Sequence, residues 1–247
     1  DMLDLANLAR AFPAQGAKWM PFVGDRLLPM RRWLGAMCHP DGEVSFFNDS
    51  AIGVHPSPGE LDLYARRMGL GEVAPPAEGI TVLAASGYVR MQRGDAVVIA
   101  DVGPVGPDYL PGHAHADTLS FELSLDGRRV LVNSGTDRYG LGAERLRQRG
   151  TAAHTTVTVD GQDSSEVWGG FRVARRARPT VPVVQAAPAE LRASCSHDGY
   201  CRLPGAPVHR RTWILTPGGL DVRDELSGPG RGVSHWHWSP GNRPGGG

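Results

Sequence analysis

Three side chains that could carry acid–base or metal chemistry occupy alternate positions within residues 111–117. They are His113, His115 and Asp117, and alanines fill the positions between them. Alternate side chains of an extended chain point to the same face. Imidazole titrates near neutral pH, and imidazole and carboxylate groups together bind zinc. The spacing therefore predicts an acid–base or metal site borne on a strand, and the alternative interpretation is a polar surface loop that leads into a strand.

The residues after position 79 must supply the strands that position this segment. Apolar and polar residues alternate there in many short stretches, and the chain's 33 glycines and 20 prolines provide frequent turns. Such a pattern is typical of an antiparallel β-sandwich. The predicted strands are 80–83, 88–91, 96–100, 119–125, 130–132, 155–159, 172–184, 191–195, 209–216 and 220–225.

The dipeptide Asp-Gly at residues 126–127 predicts a tight hairpin between two of these strands. With a turn of two residues, Leu123 would face Val130. The same register would place Asn133 opposite Ser120, on the face of the sheet away from the histidine segment.

Residues 1–78 follow a helical period instead. Apolar side chains recur at helical spacing in the segments 3–9, 27–37 and 61–68. Residues 72–79 contain two adjacent prolines and are predicted to be a linker. The predicted fold class is therefore mainly β, with an antiparallel β-sandwich that is preceded by helices.

The overall composition excludes several classes of partner. The formal net charge is zero, so no overall electrostatic field favours nucleic acid or an anionic membrane. No apolar run approaches the roughly 18 residues that a membrane span requires. We therefore predict no nucleic-acid partner and no membrane insertion.

The three cysteines, Cys38, Cys195 and Cys201, are too few for a disulfide framework. A short hairpin loop between Cys195 and Cys201 would bring them opposite each other. A disulfide between them and two free thiols are both open.

Three arginines and two tyrosines have competing interpretations. Arg145, Arg147 and Arg149 are predicted to cover a solvated helix or loop, because charged side chains usually lie at the surface. The alternative is that they bind an acidic sugar, since guanidinium groups pair with carboxylate or sulfate. Tyr139 and Tyr200 are predicted to be packed rings with satisfied hydroxyl groups.

Four segments in the same order together resemble the heparinase II/III-like polysaccharide lyases. They are GHAHADTLSF at 112–121, VNSGTDRY at 132–139, AHTTVTVDG at 153–161 and HDGY at 197–200. The segments HPDG at 39–42 and FNDS at 47–50 resemble the end of that family's helical domain. The resemblance implies an α/α toroid followed by an antiparallel β-sandwich, with the active cleft between them. Residues 1–78 would be the C-terminal part of the toroid, and residues 79–247 a sandwich truncated at its C-terminus.

The resemblance also implies a reaction, β-elimination at a uronic acid residue of an acidic polysaccharide. A base must remove the C5 proton, the adjacent carboxylate must be neutralised, and the leaving oxygen at C4 must receive a proton. His113 matches the histidine that these lyases place at the cleft, which makes it the expected catalytic residue. The family supplies its catalytic tyrosine largely from the toroid, and Tyr64 is the only tyrosine before residue 80. We therefore expect residues 1–247 alone to lack a complete catalytic set.

A metal site is implied by the same resemblance. His115 and His154 match the histidines that bind zinc in some members, and Asn133 stands where the accompanying aspartate is expected. The implied cofactor is a structural zinc ion, although an amide is a weaker zinc ligand than a carboxylate. The implied partner is an acidic polysaccharide such as a heparan-like chain, alginate or an exopolysaccharide. Such polymers are met outside the cytoplasm, so a periplasmic or secreted location is expected.

Two other functions remain as alternatives. The first is a non-catalytic carbohydrate-binding sandwich. It would suit two departures from the family pattern: Asn133 stands in place of an aspartate, and Thr155 stands in place of the common asparagine. A metal-dependent cupin would also use a His-x-His pair, but its glutamate ligand would follow within a few residues. Glu122 comes seven residues after His115, which is a poor match.

Overall fold

The computed structural model describes residues 1–240, which divide between two compact units. Unit 1 comprises residues 1–38, 42–44 and 52–76 and is helical. Unit 2 comprises residues 39–41, 45–51 and those from 77 onward, and it contains all the named strands. The short segment 45–51 therefore packs with the strands, although its neighbours in the chain belong to the helical unit.

Unit 1 contains the three predicted helices and one additional helical turn. They are α1 (Met2–Ala11), α2 (Pro13–Gly16), α3 (Met20–Ala36) and α4 (Pro58–Arg67). Helix α4 begins at Pro58 because Ser57 caps it: the Ser57 hydroxyl accepts from the backbone N–H of Glu60, whose side chain accepts from the Ser57 N–H. Leu3, Val23 and Ala65 form the centre of a small apolar core.

Unit 2 contains two large antiparallel sheets. The first has five strands in chain order: β1 (Gly79–Leu83), β2 (Tyr88–Arg93), β3 (Ala96–Asp101), β4 (Phe121–Leu125) and β5 (Arg128–Leu131). Helix α5 (Ala143–Arg149), β6 (Val157–Val159) and the pair β7 (Val167–Gly169) and β8 (Arg172–Val173) follow. The second large sheet has the order β12–β11–β10–β9, built from β9 (Val183–Ala186), β10 (Leu191–His197), β11 (His209–Thr216) and β12 (Gly219–Leu226). Strand β13 (Gly232–Ser234) pairs with β6.

The two large sheets enclose one apolar core. Met91 and Phe121 of the first sheet belong to the same buried cluster as Ala193, Trp213 and Leu215 of the second. Apolar faces of two sheets that pack in this way define a β-sandwich. The predicted mainly β fold class is therefore confirmed. No helix among residues 1–240 is long and apolar enough to cross a membrane.

The predicted hairpin turn is present, but the predicted register is wrong. Asp126 and Gly127 both have positive φ and connect β4 and β5 by a two-residue turn. Beyond the turn the pairing shifts, and Leu123 faces Leu131 instead of Val130. Val130 is thus an extra residue in β5, which is a β-bulge.

One predicted strand is interrupted, and the open question about the cysteines is answered. The predicted strand 172–184 is broken into β8 and β9, because Pro179 and Pro182 lack the N–H group that a continuous ladder requires. Cys195 lies in β10 opposite Arg211, and Cys201 is exposed. Both thiols are free, so of the two alternatives the unpaired thiols are present.

Candidate active site and metal centre

The histidine segment does not form a strand. Residues Pro111–His113 make a single 3-10 turn, and β4 begins only at Phe121. As a result the two histidines occupy different environments: the side chain of His113 is 66% exposed, whereas that of His115 is completely buried. The prediction that they share a strand face is therefore wrong, because the turn rotates His113 outward.

A carboxylate from a distant segment joins the two histidines. Asp49 Oδ2 lies 2.7 Å from His113 Nδ1, and Asp49 Oδ1 lies 2.9 Å from His115 Nε2. Burial alone would raise the pKa of Asp49, but hydrogen bonds from His115, Arg145 and His113 outweigh it and hold the pKa well below its usual value. An ionised Asp49 can only accept, so His113 donates from Nδ1. In the neutral ring, His113 Nε2 is then an acceptor.

Arg145 holds Asp49 in place. Its guanidinium group donates to both carboxylate oxygens of Asp49, and Nη2 lies 2.8 Å from Oδ2. It also donates to the backbone carbonyls of Gly112 at 3.3 Å and Gly170 at 3.1 Å. Arg145 thus connects Asp49 to the turn that carries His113 and to the β7–β8 hairpin.

Arg149 supports the same turn from the next turn of α5. Its guanidinium donates to the carbonyls of Ala114 at 2.7 Å, Pro111 at 3.1 Å and Gly169 at 2.6 Å. Burial and the nearby Arg145 lower the pKa of Arg149 to about 10, so it remains charged at neutral pH. The prediction of a solvated arginine face is wrong for Arg145 and Arg149, which are buried, and only Arg147 lies at the surface.

Beneath His113 lies a buried group of potential metal ligands. Ligand atoms of His115, Asp117 and His154 all lie within 4.8 Å of one another. Nδ1 of His115 and both ring nitrogens of His154 are buried with no hydrogen bond of ordinary geometry among residues 1–240. Burial lowers the pKa of His154 well below its usual value, with a further contribution from His115. His154 is therefore neutral, which is the form that binds metal.

The buried carboxylate completes this donor set. Burial raises the pKa of Asp117, and the nearby His115 and the backbone N–H of Asn48 offset this only in part. Two imidazoles with unsatisfied buried nitrogens and one buried carboxylate fit three positions of a tetrahedral zinc site. The spacing in the sequence includes Asp117 in a possible acid–base or metal site, whereas the family resemblance implies Asn133 as the third ligand.

Asn133 lies beside this cluster with its amide already engaged. Its Oδ1 accepts from the backbone N–H of Thr155 at 3.1 Å, and its Nδ2 donates to Ser120 Oγ at 3.4 Å. These bonds orient the segment that carries His154. The role of Asn133 as a metal ligand stays a prediction.

Glu122 has a different role from the one that a cupin would give it. Its fully buried carboxylate lies 2.9 Å from His39 Nε2 and 3.4 Å from Arg129 Nη1. It also accepts from the backbone N–H of Asn133 at 2.9 Å. Glu122 therefore stabilises the fold at the β4–β5 hairpin.

The exposed side of His113 is bordered by aromatic rings. Tyr139 meets the His113 ring edge-on, with centroids 6.0 Å apart, and stacks with Phe171. Tyr139 is 57% exposed, so the prediction of a packed ring is wrong for this residue. It is right for Tyr200, whose buried hydroxyl donates to the carbonyl of Val157.

Comparison with known proteins gives one family. Residues 75–243 match the family model described as heparinase II/III-like, C-terminal. No curated protein matches the chain by sequence.

Several solved structures share the fold at low identity. A mutant of heparan sulfate lyase HepC from Pedobacter heparinus is 18% identical, with a TM-score of 0.67 over 95% of this chain and 37% of that chain. A heparinase III structure is also 18% identical, with a TM-score of 0.71 over 92% of this chain and 38% of that chain. The present chain therefore spans less than two-fifths of these proteins.

Proposed function

The chain belongs to the heparinase II/III-like family, and from this we propose that it is part of a polysaccharide lyase. The proposed reaction is β-elimination at a uronic acid residue of an acidic polysaccharide. The observation that carries the proposal is the state of His113, an exposed imidazole that donates from Nδ1 to a buried carboxylate. The other ring nitrogen, Nε2, is then the acceptor that we propose for the substrate proton.

His113 can perform two of the tasks that elimination requires. As a neutral ring, it accepts the C5 proton at Nε2, while the electron pair of the C–H bond forms the C4–C5 double bond and the C4–O bond breaks. As a cation, it neutralises the uronate carboxylate, which makes the C5 proton more acidic. Asp49 favours both tasks because an ionised carboxylate stabilises the imidazolium ion.

The leaving oxygen at C4 also needs a proton. The chain spans 37% and 38% of two solved structures that it resembles. The resemblance implies a catalytic tyrosine that comes largely from the helical toroid. We therefore propose that residues 1–78 are the C-terminal part of that toroid and that the proton donor comes from another part of the complete protein. The acidic polymer as substrate implies a periplasmic or secreted location.

We also propose that His115, Asp117 and His154 hold a structural zinc ion. The buried, unsatisfied ring nitrogens of His115 and His154, together with the nearby carboxylate of Asp117, support this assignment. A bound zinc ion would supply a positive charge that fixes the two imidazoles and the carboxylate in one arrangement. Because Asp49 accepts from His115 as well as His113, a fixed His115 ring would also fix the orientation of Asp49 toward His113.

The proposal is tested with the complete gene product that contains this chain. The protein would be incubated with heparan sulfate, with alginate and with the exopolysaccharide of the source organism, and the products analysed by mass spectrometry. A lyase gives chains with unsaturated uronate ends. Saturable binding without new chain ends would instead favour a non-catalytic carbohydrate-binding protein.

A further inference from the structure

Two exposed aromatic rings lie parallel to each other beside His113. The ring centroids of Tyr139 and Phe171 are 6.2 Å apart, with an interplanar angle of 16°. Tyr139 is 57% exposed and Phe171 is 38% exposed. Neither His113 nor the buried ligand cluster explains why two large rings should be left in contact with water at this position.

The rings come from different segments that a glycine brings together. Tyr139 precedes α5, and Phe171 lies in the turn between β7 and β8. A Cβ atom on Gly170 would lie only 2.0 Å from the carbonyl oxygen of Gly140, so the two backbones approach closely only because residue 170 is glycine. The close contact between the backbones of Gly140 and Gly170 therefore brings Tyr139 and Phe171 together.

Arg145 contacts both rings, in addition to the carboxylate of Asp49. Its guanidinium carbon lies 5.2 Å from the ring centroid of Tyr139 and 5.6 Å from that of Phe171. Because the charge of Arg145 is paired with Asp49, the rings offer an apolar surface with little net charge. One buried arginine thus sets the position of both the aromatic pair and the carboxylate that orients His113.

We propose that Tyr139 and Phe171 form a sugar-binding subsite next to His113. This inference rests on the proposed lyase function. A pyranose ring presents a face of C–H groups, and such a face packs well on an aromatic ring. The occupant is thus the sugar unit next to the cleaved uronic acid in the polysaccharide. The two aromatic rings would bind the C–H face of this sugar and would not bind its charged groups.

The decisive variants replace Phe171 in the complete gene product. Phe171→Ala should raise KM by roughly three- to tenfold, the loss expected for one aromatic contact, and leave kcat nearly unchanged. Phe171→Trp, which keeps a ring, should preserve KM. Leu141→Ser is the matched control, because Leu141 is an exposed apolar side chain in the same loop as Tyr139 that carries no ring.

Direct contact between the aromatic rings and a sugar is measured by saturation-transfer NMR with heparan sulfate and alginate oligosaccharides. Saturation of aromatic protons should pass to sugar C–H protons in the wild type and much less in Phe171→Ala. An unchanged KM and unchanged transfer in Phe171→Ala would overturn the subsite while leaving the lyase function intact. An equal effect of Leu141→Ser would also overturn it, since an unspecific apolar patch would then be responsible.

The NMR experiment also separates the two proposals. If no polysaccharide is cleaved but sugar protons receive saturation through Phe171, the lyase proposal fails and the subsite stands. If no oligosaccharide receives saturation from the wild-type protein, the subsite is wrong.

Discussion

Asp49 Oδ2 and His113 Nδ1 lie 2.7 Å apart, although 64 residues separate them in the chain. The same carboxylate accepts from the buried His115 and from Arg145. An exposed imidazole is thereby connected through one carboxylate to a buried ligand cluster. The proposed chemistry depends on this connection.

Replacement of His113 should separate activity from stability. In the complete protein, we expect His113→Ala to reduce the rate of elimination by at least about 100-fold, as for the loss of a general acid–base group. The free energy of unfolding should change by less than about 1 kcal/mol, because the side chain is two-thirds exposed. Activity assays and thermal melts test both parts. Retained activity in His113→Ala would remove His113 from the mechanism.

Replacement of Asp49 should reduce both the activity and the stability of the protein. Asp49→Asn leaves the buried charge of Arg145 without its carboxylate, which typically costs about 3–5 kcal/mol. Adding Arg145→Met should recover part of the melting temperature but not the activity, because His113 still lacks the ionised carboxylate that stabilises its imidazolium form. Glu144→Gln is the control: it breaks an exposed ion pair with Arg147 and should cost less than about 1 kcal/mol. Full activity in Asp49→Asn would show that the Asp49–His113 bond is not needed.

The metal proposal predicts that zinc binding requires the carboxylate of Asp117 and not the amide of Asn133. Purified protein should contain a single zinc ion, and chelation should lower the melting temperature until zinc is restored. Asp117→Asn and His154→Ala should both lose the zinc. Asn133→Ala should keep it, because the Asn133 amide is already bonded to Thr155 and Ser120. Elemental analysis of each variant decides the point, and loss of zinc only in Asn133→Ala would reverse the assignment.

A second buried histidine pair predicts how stability depends on pH. His197 Nε2 lies 3.2 Å from His209 Nδ1, and His209 Nε2 lies 2.8 Å from Asp224 Oδ1. Burial lowers the pKa of both rings, most strongly for His197, so both are neutral in the folded state. The pKa of histidine in an unfolded chain is about 6.5, so the unfolded state binds more protons below that pH. Stability should therefore fall as the pH decreases from about 6.5 toward the folded pKa values.

Thermal melts between about pH 5 and pH 8 measure this dependence. His197→Asn should flatten the slope below about pH 6.5, whereas His55→Asn, at an exposed position, should leave it unchanged. A wild-type melting temperature that is constant across this range would contradict the assignment of neutral buried rings.

Much of the sandwich could be predicted because its signals are local. The strand predicted at 209–216 has the same bounds in the structure, since alternation and flanking turn residues are visible within a few positions. The bulge at Val130 was not visible, because an inserted residue changes the pairing partner without changing the type of residue in the strand.

The site was harder to predict because its contacts are distant in sequence. The histidine segment was identified, but the roles of Asp49 and Arg145 were not, since they arise from contacts across 64 and 96 residues. The only signal for Asp49 was its place in the FNDS segment that resembles the family. The sequence predicts a solvated face for Arg145 and Arg149, because no local pattern reveals the backbone carbonyls of the β7–β8 hairpin that accept from their buried guanidinium groups.

The most direct test of the lyase proposal is the ultraviolet absorbance of the complete gene product mixed with uronic-acid polysaccharides. Elimination creates a conjugated double bond, so absorbance should rise with wild-type protein on at least one polysaccharide and should not rise with His113→Ala. No rise on heparan sulfate, alginate or the source organism's exopolysaccharide, together with saturable binding to one of them, would contradict the lyase proposal and indicate a carbohydrate-binding protein.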